Sequence, residues 1–254
     1  MSCTTPSRNK GKQLISKKMQ GLQQETLEPS SQSETDSTAK GTVENTNPAC
    51  VDDFERVGVG PWPGGREHWP KGDQWDTTLL AEGDRRNVTD EYRYWSREAI
   101  KKDLDRTRFS YHVAIENLDH DFNIGSIVRT ANAFAARACH IVGRRRWNRR
   151  GAMVTDRYQH VDHFYTPEQF VEYAHNNNLV IIGIDNVEGS LPLEHYELPQ
   201  QCVLVFGSEA RGLSQEMRDA CKDICHITQY GSTRSINVGH AAAIAMWAWV
   251  LRHA

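Results

Sequence analysis

QCVLVFGSEARGLSQEMRDAC, residues 201–221, is the stretch that decides the fold. Its first six residues are mostly apolar and rich in branched and aromatic side chains. Such a short run, bounded by a turn, reads as a strand buried on both faces. Gly207 follows with no spacer, and glycine lets the backbone turn sharply or approach a neighbour closely. Glu209 and Arg211 then sit in a tight turn closed by Gly212, and residues 214–221 read as a helix. A buried strand, a loop and a helix form the repeating unit of a parallel sheet, where ligands bind beyond the carboxyl ends of the strands.

The same texture extends in both directions. Residues 111–115 read as a strand, 125–135 as a helix and 140–143 as a strand. Residues 180–184 form a clear buried strand, 225–227 a short one, and 239–252 the final helix. Strand and helix alternate, so the expected class is α/β, a parallel sheet with helices on both faces. No internal repeat is visible. This domain is expected to span residues 108–254, with an arm and helical extension over 51–107 and a disordered tail over 1–50.

The tail is rich in Ser, Thr, Gln, Glu, Lys and Asn, and cannot bury enough apolar surface to offset ordering entropy. Its basic start (Arg8, Lys10, Lys12, Lys17, Lys18) reads as a solvated segment. In the arm, Gly58 and Gly60 do not begin a dinucleotide fingerprint, because Pro61 follows and no helix can start there. Trp62, Trp69 and Trp75 are expected to pack the arm on the main domain rather than stack on bases. Residues 78–87 and 89–106 are expected to be helical. In the second of these, Tyr92, Trp95, Ala99, Ile100 and Leu104 recur near the helical period, and Thr89 is placed as the N-cap.

Bulk properties narrow the function. The formal net charge of the 254 residues is -3, so any affinity for nucleic acid must come from local patches. The six cysteines are irregularly spaced and residues 1–20 have no apolar core, so a reducing cytoplasm with free thiols is expected. Cys221 and Cys225 beside His226 read as packing residues one helical turn apart rather than metal ligands, and no metal is expected. The longest apolar run, residues 241–251, is far short of the roughly 20 residues that span a bilayer, so no membrane association is expected.

Three loops carry the candidate chemistry. The first is NIGSIVRTANAF, residues 123–134, where Asn123 is placed to cap a helix and Arg129 lies nearly two turns along it. Among Ile127, Val128, Ala131 and Ala133, that arginine must snorkel, pair or bind an anion. A structural salt bridge is an equal alternative from this loop alone. The second is GSEARG, residues 207–212. The third is ITQYGSTRSINV, residues 227–238, where Ser235 and Asn237 offer hydrogen bonds to a ligand or to neighbouring loops. A fourth segment, RRRWNRR at residues 144–150, surrounds Trp147 with Arg144, Arg145, Arg146, Arg149 and Arg150. Phosphate contact with base stacking is its natural use, so it is the candidate RNA-binding segment.

In order and internal spacing, the three loops resemble the three motifs of the SpoU/TrmH RNA 2′-O-methyltransferases of the SPOUT superfamily, roughly N-x5-R-T-A-x-A-F, G-x-E-x-x-G and I-P-x-x-G-x-x-x-S-L-N-V. The resemblance covers about residues 109–254. It departs at Thr228 for the usual Pro, Ile236 for Leu and Gly239 for Ser. The resemblance implies a deep trefoil knot near the C-terminus, S-adenosyl-L-methionine as cofactor and a homodimer. It implies that Gly207, Ile227 and Ile236 touch the cofactor, with Ile184 lining the same pocket. Arg129 is implied as the catalytic residue, with Asn123, Glu209, Ser235 and Asn237 completing the site. The implied reaction is methylation of a ribose 2′-hydroxyl in transfer or ribosomal RNA. A binding module without catalysis and a base-directed methyltransferase are the alternatives.

Overall fold

The computed structural model describes residues 58–117, 123–208 and 211–254. Its centre is a seven-stranded sheet in the order β3-β2-β1-β6-β4-β7-β5. The strands are β1 (His112–Asn117), β2 (Cys139–Gly143), β3 (Val161–Phe164), β4 (Val180–Ile184), β5 (Leu191–Pro192), β6 (Cys202–Phe206) and β7 (Asp223–His226). Every pairing is parallel, so all carboxyl ends lie along one edge. The register there is level: Phe206 of β6 pairs with both Ile115 and Ile184. The next residues, Glu116, Gly207 and Asp185, therefore stand side by side.

Alternation sorts the strand residues onto two faces. On one face Val113, Ile115, Leu204, Phe206, Ile182 and Ile184 pack with helix α3 (Ile124–Ala133) and helix α6 (Val238–His253). On the other, Ala114, Val203, Val205 and Ile181 pack with Phe170 and Ala174 of α4 (Pro167–Asn176) and Met217 of α5 (Gln215–Ala220). The sheet is thus parallel and covered on both sides, as expected. The seven strands and four flanking helices include β3, α4 and β5, for which the sequence gives no clear local pattern.

The extension departs from its sequence reading. Helix α1 is Thr77–Glu82, started by Asp76, whose carboxylate accepts from the Thr78 and Leu79 N–H groups at 2.9 and 3.2 Å. The expected helix over 89–106 is instead a single 3₁₀ turn, Asp90–Tyr92, followed by α2 (Arg97–Leu104), capped by Ser96. Thr89 makes no side-chain capping bond. The interruption is Tyr94, held at φ 64° with its N–H donated to the buried carboxylate of Asp84 at 2.9 Å. Burial alone would raise Asp84, but Arg86 bonds it at 2.6 Å and holds its pKa at about 2.

The tryptophans pack, but mainly with one another. Trp62 meets Trp75 edge-on at 5.7 Å and Tyr94 at 5.3 Å, and Trp75 meets Trp95 at 6.3 Å. Trp69 instead lies under the Arg66 guanidinium at 5.2 Å. The extension is bonded to the main domain through Asp105, which accepts from Arg108 at 2.8 Å and meets His160 at 2.7 Å, and Arg108 in turn donates to the carbonyls of Ala136 and Tyr158 at 3.3 and 2.6 Å. The expected tail over residues 1–50 lies outside the described residues.

Candidate active site

At the carboxyl edge, the loops after β4, β6 and β7 enclose a cleft of about 370 Å³. That size falls within the roughly 300–1,000 Å³ of small-molecule sites. Ile184, Gly207, Ile227 and Ile236 all line it, together with Ser235. The floor depends on glycine. A Cβ on Gly207 would stand 2.0 Å from the Gly212 carbonyl carbon and 2.2 Å from the Leu213 nitrogen. The loop closes there on itself: Ser208 donates to Gly212 O at 3.1 Å, and Gly212 to Ser208 O at 2.9 Å. Gly212 takes φ +67°, a left-handed conformation in which a side chain is strained. Glu209 lies outside the described residues.

Two carboxylates grip the exit of this loop from opposite sides. From β4, Asp185 Oδ2 accepts the Leu213 N–H at 2.9 Å. From β1, Glu116 accepts the Ser214 N–H at 2.8 Å and the Ser214 hydroxyl at 2.7 Å. Glu116 is fully buried, and burial pushes its pKa up against the opposing pull of those two bonds. Each carboxylate is followed by an asparagine that reaches outward. Asn186 donates to Arg234 O at 3.0 Å, in the loop after β7. Asn117 donates to Arg144 O at 2.6 Å and to Arg146 O at 3.0 Å, in the loop after β2. None of these four residues was singled out from the sequence. The available signal was an acidic residue followed by asparagine at the end of each apolar strand, HVAIEN and VIIGIDN.

Asn123 stands at the N-terminus of α3, but its side chain makes no capping bond. It accepts instead from the Asn237 amide at 3.0 Å. Asn237 is the side chain that caps a helix, accepting from Gly239 and His240 N–H groups at 2.9 and 3.3 Å at the start of α6. The first and third motifs are thereby joined. Gly239 lies against this pair: a Cβ there would come 3.1 Å from Asn237 Oδ1 and 3.5 Å from Asn123 Oδ1. Arg129 projects from α3 as an exposed side chain, with no salt bridge to the described residues. The salt-bridge alternative for it therefore finds no partner among them.

The arginine segment is gathered beside the same edge. A Cβ on Gly125 of α3 would lie 2.7 Å from Ala152 N and 2.9 Å from Asn148 O, so the motif glycine lets α3 rest on this segment's backbone. Arg144, Arg145, Arg146, Arg149 and Arg150 are exposed. Trp147 differs from its sequence reading: it is half-buried against the core, with the Arg149 guanidinium 5.4 Å from its ring centroid. Arg149 also meets Asp156 at 3.5 Å. The open aromatic face near the cleft is Tyr230, 94% exposed between Gln229 and Gly231.

The described cysteines, Cys139, Cys202, Cys221 and Cys225, are free thiols. Burial pushes each up to about 12. Cys221 bonds the Met217 carbonyl and Cys225 is in the core, as a packing role requires. Among the described residues no group of three or more His, Cys, Asp or Glu could hold a metal ion, and no helix is long and apolar enough to cross a membrane.

Comparison with known proteins agrees with this geometry. Over 144 residues the chain is 31% identical to an uncharacterized tRNA/rRNA methyltransferase of Mycolicibacterium smegmatis, covering 53% of this chain and 44% of that protein. It is 26% identical over 208 residues to the Mus musculus tRNA (guanosine(18)-2'-O)-methyltransferase TARBP1, covering 70% of this chain and 12% of that protein. In three dimensions it resembles the A. aeolicus TrmH/SpoU tRNA modifying enzyme, with TM-score 0.54, 21% identity and 61% and 83% of the two chains covered. It also resembles the SpoU methyltransferase AviRb from Streptomyces viridochromogenes in complex with AdoMet, with TM-score 0.52, 22% identity and 57% and 58% covered. The SpoU rRNA Methylase family profile matches residues 110–247, more than half of the sequence, and the chain belongs to that family.

Proposed function

We propose that this protein transfers a methyl group from S-adenosyl-L-methionine to a ribose 2′-hydroxyl of transfer or ribosomal RNA. The observation that carries the reading is the 3.0 Å bond between Asn237 and Asn123. It ties the loop that walls the cleft to the helix that presents Arg129. Family membership and the activity of the mouse relative support the same chemistry.

The residues of the cleft fit the cofactor. Gly207 lets its loop fold back on the Gly212 backbone and so shapes the floor of the cleft, and Ile184, Ile227 and Ile236 offer apolar walls to an adenine ring. Gln229, also in the lining, has a buried Oε1 with no hydrogen-bond partner among the described residues. A buried acceptor without a donor costs free energy that a ligand N–H or O–H relieves once the loop adjusts.

When bound, the cofactor supplies an electrophilic methyl group on a sulfonium. The chain's own task is to orient the ribose and raise the nucleophilicity of its oxygen. A guanidinium is effectively always protonated, so Arg129 does not act as a simple base. It holds the phosphate beside the target ribose and stabilises charge developing on the 2′-oxygen, whose proton leaves to phosphate or water. The exposed arginines of residues 144–150 bind further phosphates, and Tyr230 offers a stacking face. Asn123, Ser235 and Asn237 hold the loops around the reacting groups, and Glu209 belongs to the same motif set.

The reading includes a homodimer and a knotted C-terminal segment. On α6, Ile244, Trp247 and Leu251 are 43%, 48% and 66% exposed, and Phe134 packs on Trp247 at 5.6 Å. A second copy covers this apolar stripe. The unreactive thiols suit a reducing compartment such as the cytoplasm.

The test is nucleoside analysis and 2′-O-methyl mapping of RNA from cells with the protein, without it, and with Arg129→Ala. Loss of one 2′-O-methyl site without the protein, restored by the wild type and not by the variant, is expected. The purified variant keeps cofactor binding. A lost base methylation instead of a ribose one, or full restoration by Arg129→Ala, overturns the assignment.

A further inference from the structure

We propose that the two strand-end pairs, Glu116-Asn117 and Asp185-Asn186, set the loops on either side of β6, the first pair as positioning residues for RNA and the second for the cofactor from within the lining of the cleft. The proposal rests on the reading given above and deepens it.

The sheet order makes the arrangement possible. β6 is flanked by β1 and β4, and all three end at one level. A carboxylate at the end of either flanking strand can reach inward to the loop leaving β6. Both do so, at consecutive residues, Leu213 and Ser214. The following asparagine in each case faces the outer neighbour. For β1 that neighbour is β2, and Asn117 takes two carbonyls of the arginine segment. For β4 it is β7, and Asn186 takes the carbonyl of Arg234. The central loop is thus fixed from both sides, and each flanking loop is tied to it through a two-residue bracket.

Donor and acceptor roles differ along the bracket, which separates positioning from bulk. Position 185 needs an acceptor: both its oxygens take backbone N–H groups, from Leu213 at 2.9 Å and from Asn186 at 2.8 Å. Asn can keep only one of these two acceptors, and its NH2 would face the other N–H. Positions 117 and 186 need an amide donor aimed at carbonyls, and a carboxylate there would face oxygen with no proton to give. The contact at 185 is also close, since a Cβ on Gly212 would come 2.4 Å from Asp185 Oδ2.

The experiment measures two affinities on the full chain. S-adenosylhomocysteine and S-adenosyl-L-methionine are titrated calorimetrically, and unfractionated transfer RNA is titrated by fluorescence anisotropy, each with a thermal melt. Asp185→Ala and Asn186→Asp are expected to weaken both cofactor ligands about tenfold, the effect of one or two lost ordering bonds. Asp185→Asn keeps one acceptor and is expected to lose less than Asp185→Ala, about threefold, and equally for both ligands. Asn117→Asp is expected to weaken RNA binding several-fold while the cofactor ligands bind as before. Asn117→Ser keeps a hydroxyl donor in the same buried space and is expected to lose less.

Melting points that fall with both affinities unchanged would mean the brackets are only structural, and would overturn the proposal. So would Asp185→Asn losing S-adenosyl-L-methionine but not S-adenosylhomocysteine, because the carboxylate would then be reading the sulfonium charge. Failure of the wild type to bind either cofactor ligand would overturn the functional reading as well. Wild-type binding with unaffected variants overturns the brackets alone.

Discussion

The two halves of the carboxyl edge are built from different materials. On the β4–β7 side, the cleft is shaped by backbone: Gly207 and Gly212 in near contact, a loop closed by Ser208, and isoleucine walls. On the β1–β2 side, the working surface is a set of exposed arginines on a short irregular segment, laid against α3 at Gly125. The first half has almost no tolerance for added atoms. The second tolerates changes of shape but depends on charge. A small rigid ligand is recognised by fit, and a polyanion by summed charge contacts that salt can screen.

The sharpest way to break this division is Gly207→Ala. The added carbon meets only backbone atoms, at 2.0 to 2.2 Å, so no side chain can swing aside. Overpacking of that kind costs about 3 kcal/mol; the loop relieves it by moving out of the binding shape, and restoring that shape lowers S-adenosylhomocysteine affinity by up to about a hundredfold by calorimetry. Affinity for transfer RNA is expected to stay close to wild type. An equal fall in both would show that the halves are not separate.

The converse change is the double reversal Arg144→Glu/Arg145→Glu. It is expected to weaken RNA binding about tenfold or more and to reduce the slope of log affinity against log salt by about 2, leaving cofactor binding intact. An unchanged salt slope would remove this segment from the RNA surface. Tyr230→Ala is expected to cost less, about fivefold, with no change in slope, as loss of one stacking face implies.

What could be read in advance divides along the same line. The three loops were legible because their order and spacing resemble a family's motifs, and in the second of them close backbone approach demands glycine at positions 207 and 212. The strands β4 and β6 were legible because burial on both faces leaves continuous apolar runs. By contrast, β3 is an edge strand, VDHF, with too little pattern to stand out. The single helix expected over 89–106 is broken because the left-handed Tyr94 is held by Asp84, ten residues away. Trp147 looked like a stacking platform, whereas the core and Arg149 flank it. The brackets at Glu116-Asn117 and Asp185-Asn186 were invisible because their partners are set by strand order, which no local pattern states.

Gly125→Ala sharpens the comparison from within the shared helix. Alanine in place of a helical glycine favours the helix by about 0.5–1 kcal/mol. Its Cβ, however, would press on Ala152 N at 2.7 Å and Asn148 O at 2.9 Å. Overpacking against backbone costs about 1–3 kcal/mol, so the contact wins and a net loss of about 1–2 kcal/mol is expected. The melting point falls by a few degrees, and RNA affinity falls more than cofactor affinity. A stabilised variant would mean that the arginine segment yields freely and that α3 does not set its position.

The smallest expected effect concerns charge inside the arginine half. His112 and His140 are buried on neighbouring strands, with His112 Nδ1 2.8 Å from His140 Nε2 and His140 Nδ1 3.4 Å from Asp162. Burial, then the neighbouring His140 and the more distant Arg137, depress His112 from 6.5 to about 3, against a weaker opposing pull from Asp162. The folded state therefore binds fewer protons than the unfolded chain between those values. The stability from a neutral His112 is fully present above about pH 6.5 and is lost as pH falls towards 3. Between pH 6.5 and 5.5 the loss is about 1 kcal/mol. His112→Gln keeps a hydrogen-bonding partner for His140 and removes the titration, so its denaturant midpoint should fall less over that interval than the wild type's. The cleft side of the sheet, with Val203, Val205 and Ile181 on the same face, has no such buried pair, so the acid response should start at β1 and β2. Amide exchange at pH 5.5 checks this: faster exchange in β1 and β2 than in β4 and β6 is expected. Uniform opening would show that the two halves share one cooperative core, whatever the difference at their edge.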